Sequence, residues 1–248
     1  MAPKSTPKRL ASAASFRRRL LAWFRRHGRD LPWRQTRNPY RILVSEVMLQ
    51  QTQVARVTEY YPRFLRAFPT LPRLAAATPA RVREAWAGLG YYRRATNLHR
   101  LARQVLEQHD GRIPGEPESL QRLPGVGRYT AGAVASFAFE QPVPAVDTNV
   151  ARVLRRAFHP RLPQGARGAR QIWETAATIL PRRGTTAWAF NQAVMELGAL
   201  ICTARVAHCE RCPVAGACAT GRKRARGLAQ EGAGYQRHQA QRPGQRAP

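Results

Sequence analysis

Acidic side chains are scarce in this sequence. Only 14 Asp and Glu stand against 42 Lys and Arg, a formal net charge of +28 over 248 residues. Solubility requires far less, so the composition implies a polyanionic partner. Lysine is scarce as well; nearly all the positive charge is arginine, whose planar fork suits phosphate and whose face stacks on bases. A genome rich in arginine codons would explain part of this, but not the shortage of acids. Long apolar runs are absent: none approaches the roughly 18 residues of a membrane span, and no apolar segment follows the basic start as in a secretory signal. Cysteine is confined to four positions between 202 and 218. Such clustering excludes a disulfide framework and favours a metal site in a reducing, cytoplasmic compartment. A sustained two-residue alternation is missing too, as is any internal repeat, so the class expected is all-α.

What is present has helical spacing. Phe16, Leu20, Leu21 and Phe24 form an apolar stripe between arginines. Pro32 ends that run, because a residue before proline avoids the helical region. Further helices are predicted at 42–52, 54–67, 79–88, 95–108, 117–123, 129–139, 148–157, 168–180 and 186–201. Turn signals separate them, among them Pro69-Thr70-Leu71-Pro72, Gly88-Leu89-Gly90 and Asp110-Gly111. Residues 1–14 read as a disordered basic leader. Residues 222–248, with many arginines, one acid (Glu231) and no apolar period, read as a disordered basic tail.

Three features carry chemistry. The first is Leu123-Pro124-Gly125-Val126-Gly127, a Gly-x-Gly turn between two helical runs. Glycine tolerates positive φ and close backbone approach, and the start of the following helix offers N–H groups to a phosphate oxygen. An ordinary tight turn is the plain alternative; the basic composition favours the phosphate clamp. The second is a pair of carboxylates. Glu46 lies among Val44, Val47, Met48 and Leu49, where burial would raise its pKa and make it a general acid near neutral pH. Asp147 follows Pro144-Ala145-Val146 at the start of a helix; there it is a natural N-cap, and also an ionised stabiliser of developing positive charge. One neutral acid beside one fixed carboxylate is the logic of glycosidic cleavage. The third is Cys202-x6-Cys209-x2-Cys212-x5-Cys218. Four thiolates so spaced suit zinc or an iron–sulfur cluster.

Together these motifs resemble the endonuclease III helix-hairpin-helix superfamily of DNA glycosylases, and within it the adenine glycosylases of the MutY type. The resemblance runs from about Asp30 to Cys218 and includes Leu31-Pro32-Trp33-Arg34, Ser45 to Thr52, Gly88 to Tyr92 and the hairpin. It implies a two-lobed all-α fold: a six-helix barrel over 31–142 holding the hairpin, and a 4Fe–4S cluster module over 143–221 joined by the N-terminal helix of 15–30. It implies that Cys202, Cys209, Cys212 and Cys218 hold the cluster. It further implies a monomer acting on double-stranded DNA with a mismatched or oxidised base pair.

Carried over by position, Glu46 would protonate the departing purine and Asp147 would stabilise the sugar cation or its adduct, with Tyr129 and Asn149 supporting them. Relatives that cut the strand carry a lysine where this chain has Tyr129, and a phenol cannot form the Schiff base; a monofunctional enzyme is expected. Gln51 would wedge into the base stack and Tyr91 would meet the opposite strand. Arg29, Leu31, Trp33, Arg34 and Gln192 would lie at the flipped base or its neighbours, and Gly125, Val126 and Gly127 on the backbone. Two departures from the family pattern stand out: no counterpart of the C-terminal domain that reads 8-oxoguanine is expected, and Thr148 follows Asp147 where many members have glycine. Adenine opposite 8-oxoguanine or guanine is the substrate expected. Thymine or uracil opposite guanine is the rival, and a DNA-binding module without catalysis a more distant one.

Overall fold

In the computed structural model the described residues are 7–226. Their helices are α1 (Pro7–His27), α2 (Pro39–Leu49), α3 (Val54–Ala67), α4 (Leu71–Ala75), α5 (Pro79–Ala85), α6 (Arg93–Gln108), α7 (Pro117–Gln121), α8 (Arg128–Phe139), α9 (Thr148–Phe158), α10 (Ala166–Ile179) and α11 (Gly184–Leu200). A last helix, α12, covers residues 219–226. The described residues contain no β-strand, only an isolated bridge between Cys202 and Ala207. The all-α class is therefore observed, and no described helix is long and apolar enough to cross a membrane.

The chain divides into two compact units. One is His27–Asp147 with Ala176–Gln192. In it α2 is the central element, packing on α8, α3 and α6, while α6 also receives α4 and α5 and α7 packs on α8. Asn38 starts α2 by accepting the Arg41 N–H at 3.1 Å, with Pro39 in the first turn. Eight of the nine residues from Tyr40 to Met48, all but the exposed Arg41, are buried, so α2 is a core helix rather than an amphipathic one. Around it Phe64, Phe68 and Trp86 form an aromatic cluster, with Phe64 edge-on to Trp86 at 5.6 Å. The expected boundary fell at 142; the observed unit runs on to Asp147 and also takes 176–192. Asn191 explains the return: its side chain bonds Ser136 Oγ, the Val143 carbonyl and the Ala145 N–H.

The other unit takes the described residues up to Arg26, Thr148–Thr175, and those from Ala193 onward. Here α1 begins at Pro7, inside the segment expected to be a disordered leader. Alanine and leucine are strong helix formers, and Ser12 Oγ donates to the Ala217 carbonyl at 2.8 Å; the basic composition of this segment concealed both. Phe16 and Leu20 are fully buried, and Phe16 tilts against Phe158 at 5.2 Å. At the other end, residues 222–226 of the expected tail are helical. Residues 1–6 and 227–248, the rest of the leader and tail, lie outside the described residues.

α4 was read as a turn. Thr70 in fact caps it, accepting the Arg73 N–H, and Pro72 stands in its first turn. Proline is compatible with the start of a helix, where its missing N–H costs nothing.

Candidate active site

Glu46 sits in the buried face of α2 and is 3% exposed. The Tyr129 hydroxyl, from the first turn of α8, donates to its Oε2 at 2.7 Å. Burial raises the Glu46 carboxyl from 4.5 to about 7; the Tyr129 bond opposes that rise, the Asp147 charge adds to it, and the Arg34 charge opposes it. A carboxyl poised there exchanges its proton near neutral pH. The Tyr129 phenol is raised well above its usual range, first by burial and then by the two carboxylates, so it stays protonated and remains a donor. Glu46, Tyr129 and Asp147 thus lie within electrostatic reach of one another in one unit.

Asp147 is brought there by the segment 143–146, which runs close against α8. Gly132 permits the approach, since a Cβ at that position would stand 2.3 Å from the Pro144 carbonyl oxygen. Asn191 and Gly132 were both missed in the sequence. An isolated glycine within the apolar run 130–139 was the one available signal.

Arg34 donates through Nε to Gln192 Oε1 at 2.9 Å and through Nη1 to the Arg29 carbonyl at 2.9 Å, so three of the expected base-contacting residues form one hydrogen-bonded group. Leu31 and Trp33 are different. They are 7% and 6% exposed, and Trp33 stands edge-on to Tyr61 at 5.6 Å. The structure places these two in the core, where they present little surface for a base.

In the hairpin only Gly125 needs the left-handed region, with φ at +79°, and a Cβ there would meet the Asn97 Cβ at 2.9 Å. Val126 is buried and its N–H is taken by the Leu123 carbonyl. Gly127 caps α8 with an ordinary extended φ of −89° and has open space where a Cβ would be. Its role is to leave the start of α8 uncovered by a side chain, which suits an approaching anion. Gln51 and Tyr91 are exposed, and both adopt positive φ, +56° and +48°.

In the other unit, Asn149 lies in the first turn of α9. Its Oδ1 accepts from Arg152 Nη2 at 2.7 Å, and Arg152 also donates to the Gly198 and Cys202 carbonyls. The four cysteines, all free thiols, line one cavity together with Phe16, Val153, Arg156 and Leu197. Burial pushes the Cys212 thiol up to about 11, with further increments from the charges of Cys218, Cys202 and Cys209, so the sulfurs converge. Arg156 Nη1 stands 3.3 Å from Cys202 Sγ. Among the described residues, no three Cys, His, Asp or Glu side chains are placed to hold one metal ion.

Comparison with known proteins fits this geometry. Residues 44–178 match the family described as HhH-GPD superfamily base excision DNA repair protein. The chain is 49% identical over 196 residues to an adenine DNA glycosylase of Mycobacterium tuberculosis, covering 79% of this chain and 64% of that one. It therefore spans less than two thirds of that relative's length. The solved structure of a thermostable thymine-DNA glycosylase superposes with a TM-score of 0.80 at 31% identity, over 86% of this chain and 98% of the other. A non-covalent endonuclease III–DNA complex superposes with a TM-score of 0.74 at 26% identity, over 90% and 100%. The chain belongs to the HhH-GPD superfamily of base excision DNA repair proteins.

Proposed function

We propose that this chain is a monofunctional DNA glycosylase that hydrolyses the N-glycosidic bond of adenine opposite 8-oxoguanine or guanine and leaves an abasic site. One observation carries the reading: a buried glutamic acid, raised to about 7, hydrogen-bonded by a phenol and within reach of a second carboxylate. Glu46 gives its proton to the adenine ring, which then leaves as a neutral base. Asp147 supplies the negative charge that the developing sugar cation needs. Water completes the hydrolysis. Tyr129 holds Glu46 in place and offers no amine, so no Schiff base forms and the strand stays intact.

The partner is duplex DNA, bound as a monomer in the bacterial nucleoid. Gly125 to Gly127 and the start of α8 take a backbone phosphate, and Arg29, Arg34 and Gln192 surround the extruded base. Gln51 wedges into the stack that the base leaves, and Tyr91 meets the opposite strand. Asn149, two residues after Asp147 in the sequence, is the remaining supporting residue. Cys202, Cys209, Cys212 and Cys218 hold a 4Fe–4S cluster. Their fit rests on four thiols lining one cavity. When bound, such a group cross-links the segment 202–218, as four thiolate ligands would.

The likeness to a thymine-DNA glycosylase structure supports the second reading, thymine or uracil removed opposite guanine. Base release from duplexes with A:8-oxoG, A:G, T:G and U:G pairs decides between them. Release from the two adenine duplexes alone is expected. Release from T:G or U:G with adenine untouched would replace the first reading by the second. No release from any, with tight binding retained, would leave a DNA-binding module.

A further inference from the structure

Arg94 is one of the few buried charges among the described residues, 8% exposed, and it lies in the first turn of α6. A cation at the start of its own helix faces the positive end of the dipole, which is unfavourable. Its guanidinium points instead at five backbone carbonyls. Nη1 donates to Val47 (3.2 Å), Met48 (2.7 Å) and Gln50, and Nη2 to Leu89 and Gly90, both at 3.1 Å. The first group is the C-terminal end of α2, which has no basic residue in its own last turn. A helix end leaves carbonyls without partners, and Arg94 supplies both the donors and the charge. The second group is the turn at 88–91. The guanidinium is also 5.4 Å from the ring centroids of Trp86 and Tyr91.

Each arm of the fork therefore holds a turn with a strained residue beside it. Gln51, directly after the carbonyl of Gln50, has φ of +56°, and Tyr91, directly after the carbonyl of Gly90, has φ of +48°. Neither residue type favours that region. Such conformers persist only where the surroundings over-determine them, and here the shared constraint is one side chain. Both strained residues are exposed, Tyr91 at 61%.

We propose that Arg94 is a positioning residue that fixes Gln51 and Tyr91 as a paired, preset probe of the duplex, so that the two side chains engage the two strands together. This rests on the glycosylase reading above, in which those two residues meet DNA. It adds that their joint placement comes from the guanidinium fork. Lysine cannot replace it, since one ammonium does not span two turns in a fixed plane.

The test compares Arg94→Lys, Arg94→Met, Gln51→Ala, Tyr91→Ala and the double variant Arg94→Met/Tyr91→Ala with the wild-type chain. The duplex carries adenine opposite guanine, with 2-aminopurine at the neighbouring step. Two readouts are taken below every variant's melting temperature: single-turnover release at saturating protein, and 2-aminopurine fluorescence with a 2′-fluoro sugar that blocks cleavage. Arg94→Met is expected to lose roughly 100-fold in single-turnover rate, the scale of about 1 Å of misplacement, and most of the fluorescence rise. Arg94→Lys should fall the same way, and it keeps the charge if Met prevents folding. The double variant should be no worse than the poorer single variant, showing that the residues act together. If Gln51→Ala and Tyr91→Ala are impaired but both Arg94 variants turn over within about twofold of wild type and merely melt lower, Arg94 is only a helix cap and the positioning role is overturned. If Gln51→Ala and Tyr91→Ala themselves match wild type in both readouts, the reading that they meet DNA falls, and the proposal with it.

Discussion

Replacing Glu46 by glutamine removes a carboxyl group whose environment is set against its charge. The native carboxyl is raised from 4.5 to about 7 by burial in α2. Between those two pH values the folded protein binds a proton at Glu46 that the unfolded chain has released. Stability must therefore fall as pH rises across that window. The shift is about two and a half units, and each unit is worth about 1.4 kcal/mol, so the penalty at pH 8 is roughly 3 kcal/mol. Glutamine is nearly isosteric, accepts the Tyr129 hydrogen bond and never ionises. Glu46→Gln should match the wild type at pH 4.5 and exceed it by roughly 3 kcal/mol at pH 8. The assay is thermal or urea unfolding of both proteins across this range; subtracting one from the other cancels every other titrating group. Difference infrared spectroscopy, with the variant as blank, reads the same proton directly. The variant should retain only a trace of base release while keeping its affinity for duplex DNA. A stability difference that stays flat with pH, or that grows toward acid, would refute the buried-acid account. Unchanged turnover would remove Glu46 as the proton donor.

Other consequences are as specific. Tyr129→Phe removes a bond that lowers the Glu46 pKa, so the alkaline limb of the rate profile should move to higher pH; an unmoved limb would contradict the 2.7 Å contact. Tyr129→Lys should yield a borohydride-trapped adduct that the native protein never gives. Gly132→Ala puts a methyl 2.3 Å from the Pro144 oxygen; displacement of the segment before Asp147 should cost about 1–3 kcal/mol of stability and slow single-turnover release. Cys212→Ser should abolish bound iron in metal analysis of protein purified without air. Duplex affinity should fall steeply with salt, by about 0.9 logarithmic units per tenfold salt for each phosphate neutralised.

Much of this was legible in the sequence because acids are so rare. With 14 carboxylates in the chain, one embedded among Val44, Val47, Met48 and Leu49 is conspicuous, and α2 does bury it. The long helices announced themselves by period, and α3, α6 and α8 fall within two residues of their predicted bounds. Arginines gave the opposite problem. Arg94, the fork that holds two strained turns, has nothing in sequence to distinguish it from Arg93, its exposed neighbour. The difference is which of the two faces the end of a helix more than forty residues earlier, and local pattern contains no such information. Asn191 was hidden for the same reason: its partners at 136, 143 and 145 are close only after folding. Leu31 and Trp33 are the reverse case: a motif singled them out, and the structure buries both beside a proline turn.

The central claim is that release depends on a proton held by Glu46 near neutrality while a second carboxylate keeps its charge. The single-turnover rate against pH, on a duplex with adenine opposite guanine, tests this most directly. The account predicts a rate that holds steady on the acid side and declines above about pH 7, with the decline missing in the residual activity of Glu46→Gln. A rate that climbs through pH 7, or an identical decline in both proteins, would contradict it.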